Sequence, residues 1–224
     1  AVARLLPRDW RYVAWVDADI LFRDPEWALE TLHELQHFQV VQPWRHALDL
    51  GPNGEVMKLF ESFGYRCQNG RPEPDGNDYY SSRGHPGYAW ACTRKFWEAV
   101  GGLIDFAILG SGDRHMAFGM TGEAAQSMHH RMAAGYRRRV MEWQARAMRV
   151  TNGQVGFVHG RIEHSYHGAK AARGYQNRWN ILLDHRFDPD FDLIHDAQGL
   201  IQLTGKPALE HAIMQYNRSR SEDG

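Results

Sequence analysis

The chain of 224 residues is 43% apolar and 24% charged with a formal net charge of −1, which excludes a disordered tail or a collagen-like repeat. The near-zero charge also argues against a protein held to nucleic acid by bulk electrostatics and leaves a local basic patch open. At this length roughly 70% of the unfolded surface can be buried, so folding requires neither a disulfide framework nor a structural metal.

In chain order, Tyr12 to Val16 is an apolar, β-branched and aromatic run that reads as a buried strand. It leads directly into Asp17-Ala18-Asp19. Asp24-Pro25-Glu26 is a helix start, with proline at the first helical position. The helix that follows presents Trp27, Thr31, Leu32 and Leu35 on one face. Val40 to Trp44 is the next strand, so strand, helix and strand predict an α/β layer with a parallel sheet. Val56 to Phe63 is read as a helix, and Asn69 to Pro86 as a long Gly-, Pro- and Ser-rich loop. Gly87 to Cys92 is a strand and Thr93 to Val100 a helix stopped by Gly101-Gly102. Met132, Tyr136, Val140, Trp143 and Ala147 recur at helical spacing in Arg131 to Val150, whose other positions form an arginine-rich face including Arg137, Arg138 and Arg139. Val155 to Val158 and Arg161 to Tyr166 are short strands. Arg173 to His185 and Pro207 to Tyr216 are the last helices, with Asp188-Pro189-Asp190 as a turn between them.

Three constellations carry chemistry. Asp17 and Asp19, just past a buried strand, sit at the strand's carboxyl end, where open α/β sheets place ligands. In an extended segment both carboxylates point to one side and can share a divalent cation, Mn²⁺ or Mg²⁺. His164 and His167 supply a softer ligand that favours Mn²⁺ over Ca²⁺. Strand alternation points the two rings to opposite faces, which favours His167, the one beside Gly168 and Lys170. Gly168 lets the backbone approach a phosphate and Lys170 offsets its charge. Asp113, after Gly110-Ser111-Gly112, is a general-base candidate if it faces the metal site and otherwise an ordinary helix cap. Tyr88 and Trp90 offer aromatic faces to a sugar, or else belong to the core. The arginine face is either a solvated helix surface or a contact for an anionic acceptor such as DNA.

Together these segments resemble the metal-dependent glycosyltransferases of the GT-A fold, which use a nucleotide-sugar donor. YVAWVDADILF resembles the strand bearing that family's D-x-D. GYAWACTRKFWEAVGGLIDFAILGSGD is similar to the acceptor-side segment of galactosyltransferase-like and family-two-like members, and HSYHGAK to their late histidine–glycine–lysine segment. The resemblance covers roughly Tyr12 to Arg178. It implies a mixed, mostly parallel sheet flanked by helices, in one domain over residues 1–224: the D-x-D strand near the start, an acceptor-side segment at 87–150 and a helical tail at 171–224. It further implies that Asp17 and Asp19 hold Mn²⁺ and the diphosphate of a UDP-sugar, with His167 or His164 as the third ligand, Lys170 near the phosphates and Asp113 as the base of an inverting displacement. Where inverting relatives carry an acidic pair, this chain has Gly112 before Asp113. The nucleotide-recognising half that relatives place before the D-x-D has no counterpart in Ala1 to Trp10, so either a missing N-terminal segment, the favoured expectation, or a second polypeptide completes the donor site, or the uridine site is built differently.

The expected acceptor is a glycan, a small molecule or a hydroxymethylated DNA base of the kind some phage transferases modify. The alternatives are a nucleotidyltransferase or other Mg²⁺-dependent phosphoryl-transfer enzyme, where paired aspartates also bind metal and diphosphate, and a carbohydrate- or nucleic-acid-binding module without a donor site. No stretch approaches the ~20 apolar residues of a membrane helix and no signal peptide is recognisable. With only Cys67 and Cys92 as cysteines, a cytoplasmic location is expected.

Overall fold

The computed structural model describes residues 6–70, 83–168 and 178–219. Two four-stranded sheets organise it. The first contains β1 (Tyr12–Val16), β3 (Val40–Gln42), β6 (Ala89–Thr93) and β7 (Gly156–Phe157), in the order β1-β6-β3-β7. The second contains β2 (Ile20–Phe22), β4 (His46–Leu50), β5 (Val56–Glu61) and β8 (Arg161–His164), in the order β2-β8-β4-β5. The chain passes from the first sheet to the second between β1 and β2, between β3 and β4, and between β7 and β8.

The α/β expectation holds at that level, but the sheets are mixed rather than mostly parallel. β1 and β3 do run the same way, as their connecting helix α1 (Trp27–Glu34) demands. β6, however, is inserted between them and is antiparallel to both. In the two sheets only β3–β7 and β4–β8 are parallel, while β2–β8 and β4–β5 are antiparallel.

Val56 to Glu61 is a strand, not the expected helix. The Gly51 amide donates to Glu55 O at 2.7 Å and the Gly54 amide to Gly51 O at 3.0 Å, a turn that folds β5 back on β4. Ser62 then caps the short α2 (Phe63–Gln68) by accepting from the Tyr65 amide at 3.1 Å. In α1, Thr31 is buried and Trp27 stacks on Phe22 with ring centroids 3.9 Å apart, but Leu32 turns outward, away from the face expected of it.

The main core lies between the first sheet and the helices. α3 (Arg94–Val100) starts on Thr93, whose hydroxyl accepts from the Phe96 amide, and stops at Gly101, whose φ of 78° favours a residue without a Cβ. α4 (Gly112–Met120), a 3₁₀ turn (Ala124–Ser127) and α5 (Ala134–Thr151) pack behind it. Tyr136, Val140, Trp143 and Ala147 of α5 are buried, as their spacing predicts. On its outer face Arg138 and Arg139 both bind Asp190, at 2.5 and 2.7 Å, so two cations of the candidate DNA-binding face are held by a carboxylate. α6 (Arg178–Asp184), α7 (Pro189–Asp192, capped by Asp188), the hairpin of β9 (Leu193–His195) with β10 (Ile201–Leu203), and α8 (Pro207–Ser219) complete the described chain. No described helix is long and apolar enough to cross a membrane.

Candidate metal centre

The site lies where the chain steps from one sheet to the other. Asp17, Ala18 and Asp19 form a turn between β1 and β2 rather than the extended segment expected, so the two carboxylates do not share one face by strand alternation. The Asp17 amide donates to Tyr88 O at 2.8 Å, which ties the turn to the entry of β6, and the Ser165 amide donates to Asp19 O at 2.8 Å, which ties it to the exit of β8.

That second tie brings both histidines to Asp19. Asp19 Oδ2 lies 3.3 Å from His164 Nε2 and 3.2 Å from His167 Nδ1. One ligand atom from each of Asp19, His164 and His167 falls within 4.8 Å of the others. Strand alternation does not separate the rings, because β8 ends at His164 and the chain turns before His167; their centroids stand 4.8 Å apart at 83°. Asp19 Oδ1 is buried with no hydrogen-bond partner, an acceptor that a water or a cation would satisfy. Two imidazoles and a carboxylate suit a borderline ion such as Mn²⁺ better than Mg²⁺, which prefers oxygen ligands. His167 Nδ1 also lies 3.0 Å from Ser165 O.

Asp17 stands beside this trio, not within it. Its carboxyl is pushed above the usual carboxylate range by burial, then by the negative charges of Asp19 and Asp113; the Tyr88 amide and His164 oppose the shift. Asp113, in the first turn of α4, is therefore close enough to the turn for its charge to be felt there. Its own carboxyl is raised by burial, against the backbone amide of Arg114 and the charge of Arg178. A Cβ on Gly87 would come within 3.2 Å of Asp113 Oδ2, so the absence of a side chain at Gly87 leaves room for this carboxylate beside β6.

Two residues not singled out in the sequence complete the site. Asp49 of β4 is in register with His164 of β8 and points to the same inward face. It is buried, and its Oδ1 lies 2.8 Å from His164 Nδ1 while accepting from the Tyr88 hydroxyl at 2.9 Å. His85 stacks on Tyr88 with centroids 4.2 Å apart, and Tyr88 in turn meets His164 at 4.9 Å, so a row of rings runs from His85 to His167. Tyr88 has a φ of 76°, a strained backbone for a bulky residue. That conformation accompanies a carbonyl on Asp17 and a hydroxyl on Asp49.

The remaining candidates fall elsewhere. Trp90 is buried in the main core with its indole N–H donating to Pro86 O at 2.7 Å, so its face is occupied by packing. Tyr88 is buried as well and acts through its hydroxyl and carbonyl. Gly168 has a φ of 89° just beyond His167, and Lys170 lies outside the described residues. Compared with known proteins, the chain finds no matching family model, no matching curated protein and no matching solved structure.

Proposed function

We propose that the protein is a metal-dependent glycosyltransferase that moves a sugar from a nucleotide-sugar, a UDP-sugar, to an acceptor hydroxyl. The convergence of Asp19 with His164 and His167 at the carboxyl end of β1 is the observation that carries this reading. The orphaned Asp19 Oδ1 and the mixed nitrogen and oxygen donor set fit a divalent cation, Mn²⁺ better than Mg²⁺. Bound there, such a cation supplies charge neutralisation for a leaving diphosphate.

The chain's own residues supply the rest. Asp113 takes the proton of the attacking hydroxyl; burial raises its affinity for that proton, the direction a general base requires. Attack from the Asp113 side, opposite the leaving diphosphate, inverts the anomeric carbon. The Asp17 carboxyl feels the charges of both Asp19 and Asp113, so it neighbours the base as well as the metal trio. Gly168 lets the backbone approach a phosphate, and Lys170 is assigned to the same phosphates. The acceptor is a glycan, a small molecule or a hydroxylated base, and among Arg137, Arg138 and Arg139 only Arg137 is not engaged by Asp190.

The test is protection against heat by Mn²⁺ with UDP, followed by UDP-sugar hydrolysis. At ~100 times its Kd a ligand stabilises by about 2.7 kcal/mol, a rise of roughly 5–10 °C in a chain of this size. Asp19→Asn should abolish the rise. Protection by nucleoside triphosphates but not by UDP or UDP-sugars would replace the reading with nucleotidyl transfer, and no metal-dependent protection by any nucleotide would end it.

A further inference from the structure

We propose that Asp49 is the positioning residue of the metal centre: it holds the proton of His164 on Nδ1 and so aims the Nε2 lone pair at the cation shared with Asp19 and His167. The inference rests on the metal-binding part of the reading above and is indifferent to which group is transferred.

The argument starts from donor and acceptor capacity. An ionised carboxylate only accepts hydrogen bonds. Asp49 Oδ1 receives the Tyr88 O–H at 2.9 Å and meets His164 Nδ1 at 2.8 Å, so Nδ1 carries a hydrogen. In the neutral ring Nε2 then has none. That nitrogen faces Asp19 Oδ2 at 3.3 Å, and His167 approaches the same oxygen at 3.2 Å through Nδ1, whose hydrogen also faces Ser165 O at 3.0 Å, so Nε2 is the His167 nitrogen with a lone pair for a cation. A cation bound there would take the Nε2 lone pair of the neutral ring while Nδ1–H stays on Asp49. A metal-bound histidine whose other N–H is held by a carboxylate is fixed in tautomer and orientation and made more basic.

The backbone explains why this geometry is firm. Asp49 and His164 are Cα partners on adjacent parallel strands, both pointing inward, and His164 is also in register with Ile20 of β2. Tyr88 lies against the His164 ring from the other side, and His85 stacks behind Tyr88. Asp49 is 4% exposed and His164 8% exposed, so water competes little for the bond between them.

The experiment measures Mn²⁺ affinity by titration calorimetry for the full chain and for Asp49→Asn, with thermal melts of both in the absence of metal. The variant keeps the side chain's shape and loses its charge. The expected result is a 10- to 100-fold weaker Mn²⁺ affinity (about the range for such supporting groups) with a metal-free melting temperature close to that of the parent. A folded Asp49→Asn protein with parental affinity overturns the role of Asp49 alone. Failure of the parent chain to bind Mn²⁺ overturns both this inference and the metal centre it rests on. A second measurement needs no variant: nitrogen-15 NMR of the cadmium-loaded protein should show His164 protonated at Nδ1 and cadmium-coupled at Nε2. Coupling at Nδ1 overturns the inference even where Asp49→Asn does not fold.

Discussion

Asp17, Asp19, Asp49 and Asp113 are chemically one residue type set in four environments. Asp19 has an unsatisfied oxygen beside two imidazoles, Asp49 is enclosed between a phenol and an imidazole, and Asp17 and Asp113 are both raised by burial. These differences assign separate work. Asp113→Asn removes the proposed proton acceptor and leaves the trio of Asp19, His164 and His167 intact. UDP and Mn²⁺ should therefore still raise the melting temperature, while sugar transfer falls by roughly 10²- to 10⁴-fold. Near-parental turnover would remove Asp113 from the mechanism. The sequence made Asp17 and Asp19 visible because they follow an apolar strand, and His164 and His167 because they cluster near a glycine. Asp49 was hidden by its own strand: in His46-Ala47-Leu48-Asp49-Leu50 the leucines look like the inward face. The structure turns Ala47 and Asp49 inward and leaves Leu48 and Leu50 half-buried. A polar residue on a buried face is reversed by a pattern reading that places apolar residues inside.

At the scale of elements, the site depends on strands that change sheets, and the contacts at those crossings tolerate little added volume. Gly64 in α2 donates its amide to the fully buried Gln42 side chain at 2.7 Å, and a Cβ there would meet the carbonyl oxygen of Gly156 in β7 at 2.5 Å. Gly64→Ala must push backbone against backbone where β3 and β7 pair, and it should cost about 1–3 kcal/mol, read as a lower urea midpoint with an unchanged slope. An unchanged midpoint would show that α2 shifts freely on the sheet. Helices with strong apolar periodicity, such as α5, were legible in the sequence, as was the Gly101 stop of α3. The β4–β5 hairpin was not, because Val56, Met57 and Leu59 are all exposed on an edge strand and carry no alternation that separates strand from helix. The insertion of β6 between β1 and β3 was equally hidden. Strand order depends on pairing between distant segments, and local pattern contains no trace of it.

For the whole molecule, the core behind the site contains a polar network whose protonation links stability to pH. His115 of α4 is fully buried, with Nδ1 2.8 Å from Ser127 Oγ and Nε2 2.9 Å from the Tyr136 hydroxyl. Ser127 gives its own hydrogen to Ala124 O at 2.7 Å, so its oxygen accepts from His115 Nδ1–H, and Nε2 is left to accept from Tyr136. Both ring nitrogens are thus satisfied in the neutral form. Burial, and then the positive charges of Arg114 and Arg178, push its pKa down to about 3. An unfolded histidine titrates near ~6.5. Above that pH neither state holds the proton and the full stability is present. Between the two values only the unfolded state binds it, so stability falls as the pH drops, by about 1.4 kcal/mol per pH unit once well below the upper value. Other groups titrate in the same interval, and a comparison with His115→Gln isolates this one. From pH 7 to pH 5 the parent chain should lose roughly 2 kcal/mol more of its urea unfolding free energy than the variant does. Equal losses in the two proteins would mean that His115 is protonated in the folded core, with Nε2–H donating to the Tyr136 oxygen instead of accepting from it.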